Sequence, residues 1–138
     1  MSEMEERADR SKAPYEAGRE SMAQGDFARA ATLFEESAMA FPHFKTLELL
    51  GECRLKLGDG WGALIPLAAA VGLGTNAFKA TYLLALAFEA AGIYRKALDH
   101  ANRAVMMNPS FARAVRLREK MIQRTGQESN REPESDTP

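Results

Sequence analysis

Few side chains in this chain carry chemistry, and the first question is whether any are spaced to use it. Gly58-Asp59-Gly60-Trp61-Gly62-Ala63 reads G-x-G-x-x-A, a form that in dinucleotide sites brings the backbone close to a pyrophosphate at a helix N-terminus. Such a site needs a strand before its glycines and a sheet around it. Here the preceding segment is TLELLGECRLKLG, with Leu47, Leu50, Cys53, Leu55 and Leu57 at mainly three-and-four spacing, the period of a helix. The histidines, His43 and His100, have no carboxylate pair beside them that resembles a metal site, and are read as surface or boundary residues. Cys53 falls on the apolar side of a helix, where a thiol is buried and inert; a nucleophile needs an accessible, electropositive setting. Glu48 and Glu52 stand one helical turn apart, the spacing of a carboxylate pair. No serine sits in a nucleophile elbow. The sequence predicts no catalytic residue, no cofactor and no metal, and the protein is read as not an enzyme.

Composition narrows the class further. A length of 138 residues suits one domain with a modest core. Apolar residues at 46% and charged residues at 27% point to a soluble globular chain, and abundant alanine with few β-branched residues favours helix. A formal net charge of −1 gives no reason to expect nucleic acid or an acidic membrane as partner. The single cysteine excludes an internal disulfide. MSEMEERADR lacks the apolar core of a signal peptide, and nowhere do about 18 apolar residues run uninterrupted. A cytoplasmic location is expected.

The elements that must position these residues show themselves through a repeat. Gly25, Gly58 and Gly92 are spaced 33 and 34 apart, and so are Ala30, Ala63 and Ala97. Gly18, Gly51 and Ala85 keep the same intervals, as do Pro42, Thr75 and Pro109. Each unit reads as two helices joined at a glycine that stops the first, with Asp26 or Asp59 capping the second. Small residues recur where paired helices must approach closely. GDGWGA is therefore predicted to be a helix–turn–helix corner.

These residues resemble the tetratricopeptide repeat family, whose unit of about 34 residues has small residues at the helix crossing, an aromatic after the turn, alanine next and proline at the end. The first unit, about residues 11–43, has Gly18, Gly25, Phe27, Ala30, Phe34 and Pro42; the third, about 78–110, has Leu84, Ala85, Gly92, Tyr94, Ala97, Ala104 and Pro109. The second, 44–77, keeps Leu50, Gly51, Gly58 and Ala63 but has Gly60 where the aromatic belongs, with Trp61 expected to supply it one residue later. Pro66 is expected to kink that unit unless it falls in the first helical turn. The helix after the third unit, about 111–124, is expected to be capped by Ser110 and to bury Ala114, Val115, Leu117, Met121 and Ile122 over the last open face. Residues 1–10 are read as flexible and 125–138 as disordered. The implied fold is all-α, a right-handed superhelical array of three helical hairpins and a terminal helix.

The resemblance implies a concave face lined by the first helix of each pair. Its positions hold Lys12, Tyr15, Arg19 and Met22, then Lys45, Glu48, Glu52, Leu55 and Lys56, then Lys79, Tyr82, Leu86 and Glu89. With Arg19, Lys45 and Lys56 beside them, Glu48 and Glu52 read as an ion network rather than a catalytic pair. Lys12, Lys45 and Lys79 share one repeat position and form a column along one edge, which Arg113 extends if the last helix keeps register. Such a row suits a ligand with acidic side chains or a free carboxylate; a solvated lysine row accounts for the same pattern. Tyr15, Met22, Leu55, Tyr82 and Leu86 either offer apolar anchors for a peptide or fill gaps between helices. In one subset of the family a lysine–asparagine–asparagine–lysine–arginine clamp grips the C-terminal carboxylate of heat-shock chaperones. Those places hold Tyr15, Arg19, Leu49, Lys79 and Leu83 here, and only Lys79 matches. The terminal helix concentrates Arg113, Arg116, Arg118, Lys120 and Arg124, cations that suit a helix end.

The expected function is non-catalytic protein–protein interaction: a scaffold or adaptor holding a partner peptide, with acidic and apolar residues, through Lys12, Tyr15, Arg19, Lys45, Glu48, Glu52, Lys79, Tyr82 and Leu86. The alternatives are a homo-oligomerising structural module, in which a homodimer hides Tyr82, and a small chaperone resembling those of type III secretion translocators.

Overall fold

The computed structural model describes residues 1–130, which form seven α-helices and no strand. They are α1 (Glu3–Ala23), α2 (Phe27–Ala40), α3 (Phe44–Lys56), α4 (Gly60–Leu73), α5 (Phe78–Ala90), α6 (Tyr94–Met107) and α7 (Ala112–Asn130). Helices α1 to α6 form three antiparallel pairs, and α7 covers the last. Beyond these neighbours, α3 also packs on α5 and α5 on α7. The first helix of each pair therefore builds an inner layer, with α2, α4 and α6 outside it.

The turns explain the glycine period. Gly25, Gly58 and Gly92 all have φ of +79°, a left-handed conformation that costs an ordinary L-residue roughly 1–2 kcal/mol. Asp26 then accepts from the Arg29 amide at 3.1 Å and Asp59 from the Gly62 amide at 2.8 Å, which satisfies otherwise orphaned donors of the next helix. The third turn, at Ile93, has no side-chain cap. GDGWGA is thus a corner between helices, and it has no sheet beside it.

The crossings explain the other period. A Cβ at Gly18 would stand 2.8 Å from the Phe34 ring, and one at Gly51 would run into Leu67. Phe34 and Leu67 are fully buried, as are Ala30, Ala63, Ala97 and Cys53. The core is accordingly a chain of clusters along the array, each joining successive helices, rather than a single centre.

Pro66 does not interrupt α4, although it lies past the first turn. Its missing N–H should leave the carbonyl of Gly62 unmet. Arg54 supplies the donor: its Nη1 reaches Gly62 O at 2.8 Å, while Nη2 reaches Glu35 at 3.2 Å. An arginine from α3 thus bridges the outer helices of two successive repeats.

Several expectations need correcting. Trp61 does not replace the missing aromatic, because it points outward and is exposed. Gly60 takes that place: a Cβ there would come within 2.6 Å of Ala90 Cβ, so the second and third repeats meet too closely for a ring. The N-terminal segment is helical from Glu3, because Ser2 and Glu5 form an S-x-x-E cap in which the Ser2 hydroxyl accepts from the Glu5 amide at 3.2 Å. Glu3, Glu5 and Glu6 also suit the positive end of the helix. Ser110 does not cap α7; its hydroxyl donates to Asn108 at 2.9 Å and the helix begins at Ala112. Ala114, Leu117 and Met121 are buried, but Ile122 lies on the open side. The helix continues to Asn130, six residues into the segment read as disordered, and residues 131–138 lie outside the described residues. Helix α7 is tied down by Lys120, 2.6 Å from Glu89, and by Arg124, 5.5 Å over the Tyr94 ring.

Candidate functional site

The inner layer forms a groove with three hollows, and the predicted contact residues distribute among them. At the α1 end, Lys12, Tyr15 and Lys45 meet Phe41, His43 and Thr46 around 330 Å³. In the middle, Arg19, Met22, Lys45, Leu49, Glu52 and Lys79 surround 430 Å³. At the α7 end, Glu52, Leu55, Lys56, Lys79, Tyr82 and Leu86 join Phe78, Phe111 and Arg113 around 560 Å³. Lys45 borders the first two hollows, and Glu52 and Lys79 the last two.

Glu48 is the exception. It is buried, with only its link to Lys45 Nζ at 2.8 Å. It lines none of the three hollows, and its carboxylate engages Lys45 rather than the open groove. The lysine column also differs from a row of free cations. Lys12 pairs with Asp9 at 3.2 Å and Lys79 with Glu52 at 3.6 Å, so every lysine of the column has a carboxylate beside it. An acidic ligand must therefore compete with these carboxylates, although exposed pairs of this kind hold only weakly. Glu52 Oε2 is buried with no hydrogen-bond partner among the described residues; Lys79 stands close enough for attraction but too far for a hydrogen bond.

The largest hollow has an aromatic wall that the sequence reading missed. Phe111 meets Phe78 edge-on, with ring centroids 4.9 Å apart and planes at 87°, and meets Tyr82 at 5.2 Å and 84°. Edge-to-face geometry of this kind is a preferred arrangement of aromatic rings, and it lines one side of the hollow with three of them. A signal for it existed, since Phe44, Phe78 and Phe111 keep the repeat period. Arg113 stands at the rim, exposed, and among the described residues no carboxylate pairs with it. Burial raises the Tyr82 phenol above its ordinary value, while the Arg113 charge opposes the rise. Tyr15, by contrast, leans on Phe34 with centroids 6.0 Å apart, and Arg19 covers its ring at 5.9 Å.

The two histidines and the cysteine are each held in the packing, with His100 Nδ1 buried and without a hydrogen-bond partner among the described residues. His43 Nδ1 accepts from the Lys45 amide at 3.2 Å. His100 stacks on Phe88 at 5.2 Å, and burial first, then Arg103, lowers its pKa. Burial raises the Cys53 thiol to about 11, with Glu52 adding to the shift, which leaves it protonated at neutral pH. Among the described residues, no three histidine, cysteine or acidic side chains gather as a metal site.

Repeated helical pairs, a glycine in left-handed conformation at the turn within each pair and a grooved inner layer decide the architecture. The chain has the tetratricopeptide-repeat fold. Neither a family model nor a curated protein matches the sequence, but many solved structures match the fold. One is the first tetratricopeptide domain of Spaghetti (RPAP3) bound to the HSP90 peptide SRMEEVD: 18% identity, TM-score 0.81, covering 86% of this chain and 95% of that one. Another is the C-terminal tetratricopeptide domain of an FK506-binding protein of Plasmodium falciparum: 18% identity, TM-score 0.86, 93% and 96% covered. A third is YrrB, described as a tetratricopeptide protein with an unusual peptide-binding site: 24% identity, TM-score 0.78, 88% and 62% covered. Among the described residues, no tetratricopeptide helix is long and apolar enough to cross a membrane.

Proposed function

We propose that the chain is a non-catalytic adaptor that holds a segment of a partner protein in the concave groove, chiefly in the hollow between α3, α5 and α7. The observation that carries this reading is the aromatic wall of Phe78, Tyr82 and Phe111 beside Lys56, Lys79 and Arg113. An apolar aromatic wall with cations at its rim suits an apolar side chain flanked by acidic residues. Its volume of 560 Å³ falls within the range of about 300–1,000 Å³ that ligand pockets occupy.

The neighbour's HSP90 peptide is not the ligand proposed. Of the five clamp places, Leu49 and Leu83 are buried apolar residues, and Tyr15 leans on Phe34. Only Lys79 keeps the clamp's chemistry, so a carboxylate gripped from several sides has no counterpart in this groove.

The test is capture of a partner from source-cell lysate by wild type and by a Lys56→Glu/Tyr82→Ala/Arg113→Glu variant. Lys45 is left intact, because a carboxylate there would face buried Glu48. Helicity and melting of the variant must first match wild type. Loss of a partner by the folded variant is the expected result. Equal retention by both proteins would place the working surface outside the groove and overturn the reading.

A further inference from the structure

The outer layer is uneven in a way that the repeat frame makes visible. Helices α2 and α6 are charged on their outward sides, as surface helices are. Helix α4, GWGALIPLAAAVGL, has no polar or charged side chain. Its outward stripe is Trp61, Ile65, Ala68 and Gly72, and Trp61 is 65% and Ile65 81% exposed, with Leu73 beside them at 57%. Met39 on α2 and Met106 on α6 occupy the register of Gly72 and are 77% and 81% exposed. A run of exposed large apolar side chains of this kind on one helix face marks a docking face.

The flanks say what covers it. Glu36 on α2 and Arg103 on α6 are register equivalents. Both are exposed, and among the described residues neither has an ion-pair partner. A two-fold axis running along α4 lays that helix on α4 of a second copy and carries each α2 over the other copy's α6. In that arrangement register equivalents face one another, so Glu36 is set against Arg103 of the second copy at two contacts and Met39 against Met106 at two. Nothing lies within 4 Å of a Cβ placed on Gly72, so with Ala68 it leaves room for the two α4 helices to approach. A two-fold interface must be self-complementary, and this face meets that demand.

We propose that the chain dimerises through the outer face of α4, its partner being a second copy of itself. Outer helices of 14 residues are about 21 Å long, so a contact centred on α4 with one helix on each flank is small. Such a contact lies at the low end for specific association, so the dimer belongs to the micromolar range and leaves the concave groove open.

The experiment is sedimentation of the full chain from low-micromolar to near-millimolar concentration. Wild type is expected to pass from monomer to dimer. Ile65→Glu, with helicity and melting unchanged when dilute, weakens association by about tenfold or more; Tyr82→Ala leaves it unchanged. Glu36→Arg and Arg103→Glu each associate less, because like charges then face each other at both contacts. An equimolar mixture of those two variants associates again, because opposite charges are paired at both contacts. A wild type that stays monomeric overturns the proposal and leaves the face to a different protein. A dimer indifferent to Ile65→Glu, or one lost on Tyr82→Ala, overturns it by moving the contact elsewhere. Failure of the mixture to associate overturns the two-fold arrangement.

Discussion

At the scale of single residues, the same substitution has opposite effects at two glycines of neighbouring helices. Alanine in place of glycine inside a helix gains up to about 1 kcal/mol from reduced backbone freedom in the unfolded chain. At Gly51 the new Cβ would collide with the branch point of Leu67, which is fully buried and cannot swing aside. Overpacking of that kind costs about 1–3 kcal/mol, which outweighs the propensity gain. At Gly72 the space is open, and only the gain remains, reduced by proximity to the helix end. Urea unfolding of dilute protein should therefore show Gly51→Ala less stable than wild type and Gly72→Ala equal or slightly more stable. A Gly51→Ala variant as stable as wild type would show that the α3/α4 crossing can open.

At the scale of elements, α4 holds together across Pro66 because Arg54 replaces a hydrogen bond that proline removes. The inference is testable by a double-mutant cycle. Arg54→Met should cost about 1–3 kcal/mol in the wild-type background, where the Gly62 carbonyl loses its charged donor. In a Pro66→Ala background residue 66 has its own N–H for that carbonyl, and the same change should cost clearly less; equal costs would refute the substitution of one donor for the other. This bond also shows where the sequence stopped being readable. The turns and crossings were legible, because each depends on one residue type at one spacing: Gly25, Gly58 and Gly92 at φ of +79°, and Gly51 against Leu67. Arg54 and Gly62 belong to different helices, and their meeting depends on the crossing geometry rather than on any local pattern. Trp61 was misread for a related reason. The family frame asked for an aromatic, but the closeness of Ala90 to Gly60 is set by how the second pair packs on the third. The S-x-x-E cap of α1, by contrast, was present in the sequence and went unread. Much of the candidate groove was legible as positions, since eight of its nine predicted residues line a hollow. Its chemistry was less so, since Glu48 is buried, and Phe111 keeps the repeat period of Phe44 and Phe78 without that spacing revealing that its ring would close on Phe78 and Tyr82.

At the scale of the whole molecule, a repeat array has no single centre, so its stability is a sum over neighbouring pairs, and its ends matter more than in a globular domain. The last pair shows this. Leu117 and Met121 of α7 pack on Ala85, Ala97 and Ala101, while Phe111 closes on Phe78 and Tyr82. Burying one large apolar side chain contributes roughly 1.5–3 kcal/mol, so Leu117, Met121 and Phe111 together supply on the order of 5 kcal/mol. Total stabilities of small domains are only about 5–15 kcal/mol. Truncation before Phe111 should therefore melt the third pair at temperatures where the first two remain folded. Hydrogen exchange of the truncated chain should show lost protection in α5 and α6, with α1 to α3 still protected. Leu117→Ala should give a milder version of the same pattern, since it removes one side chain and keeps the helix. Uniform loss of protection along the truncated chain would mean that the three pairs fold as one cooperative unit. The groove would then assemble all at once, because its largest hollow is built from α3, α5 and the residues that lead into α7.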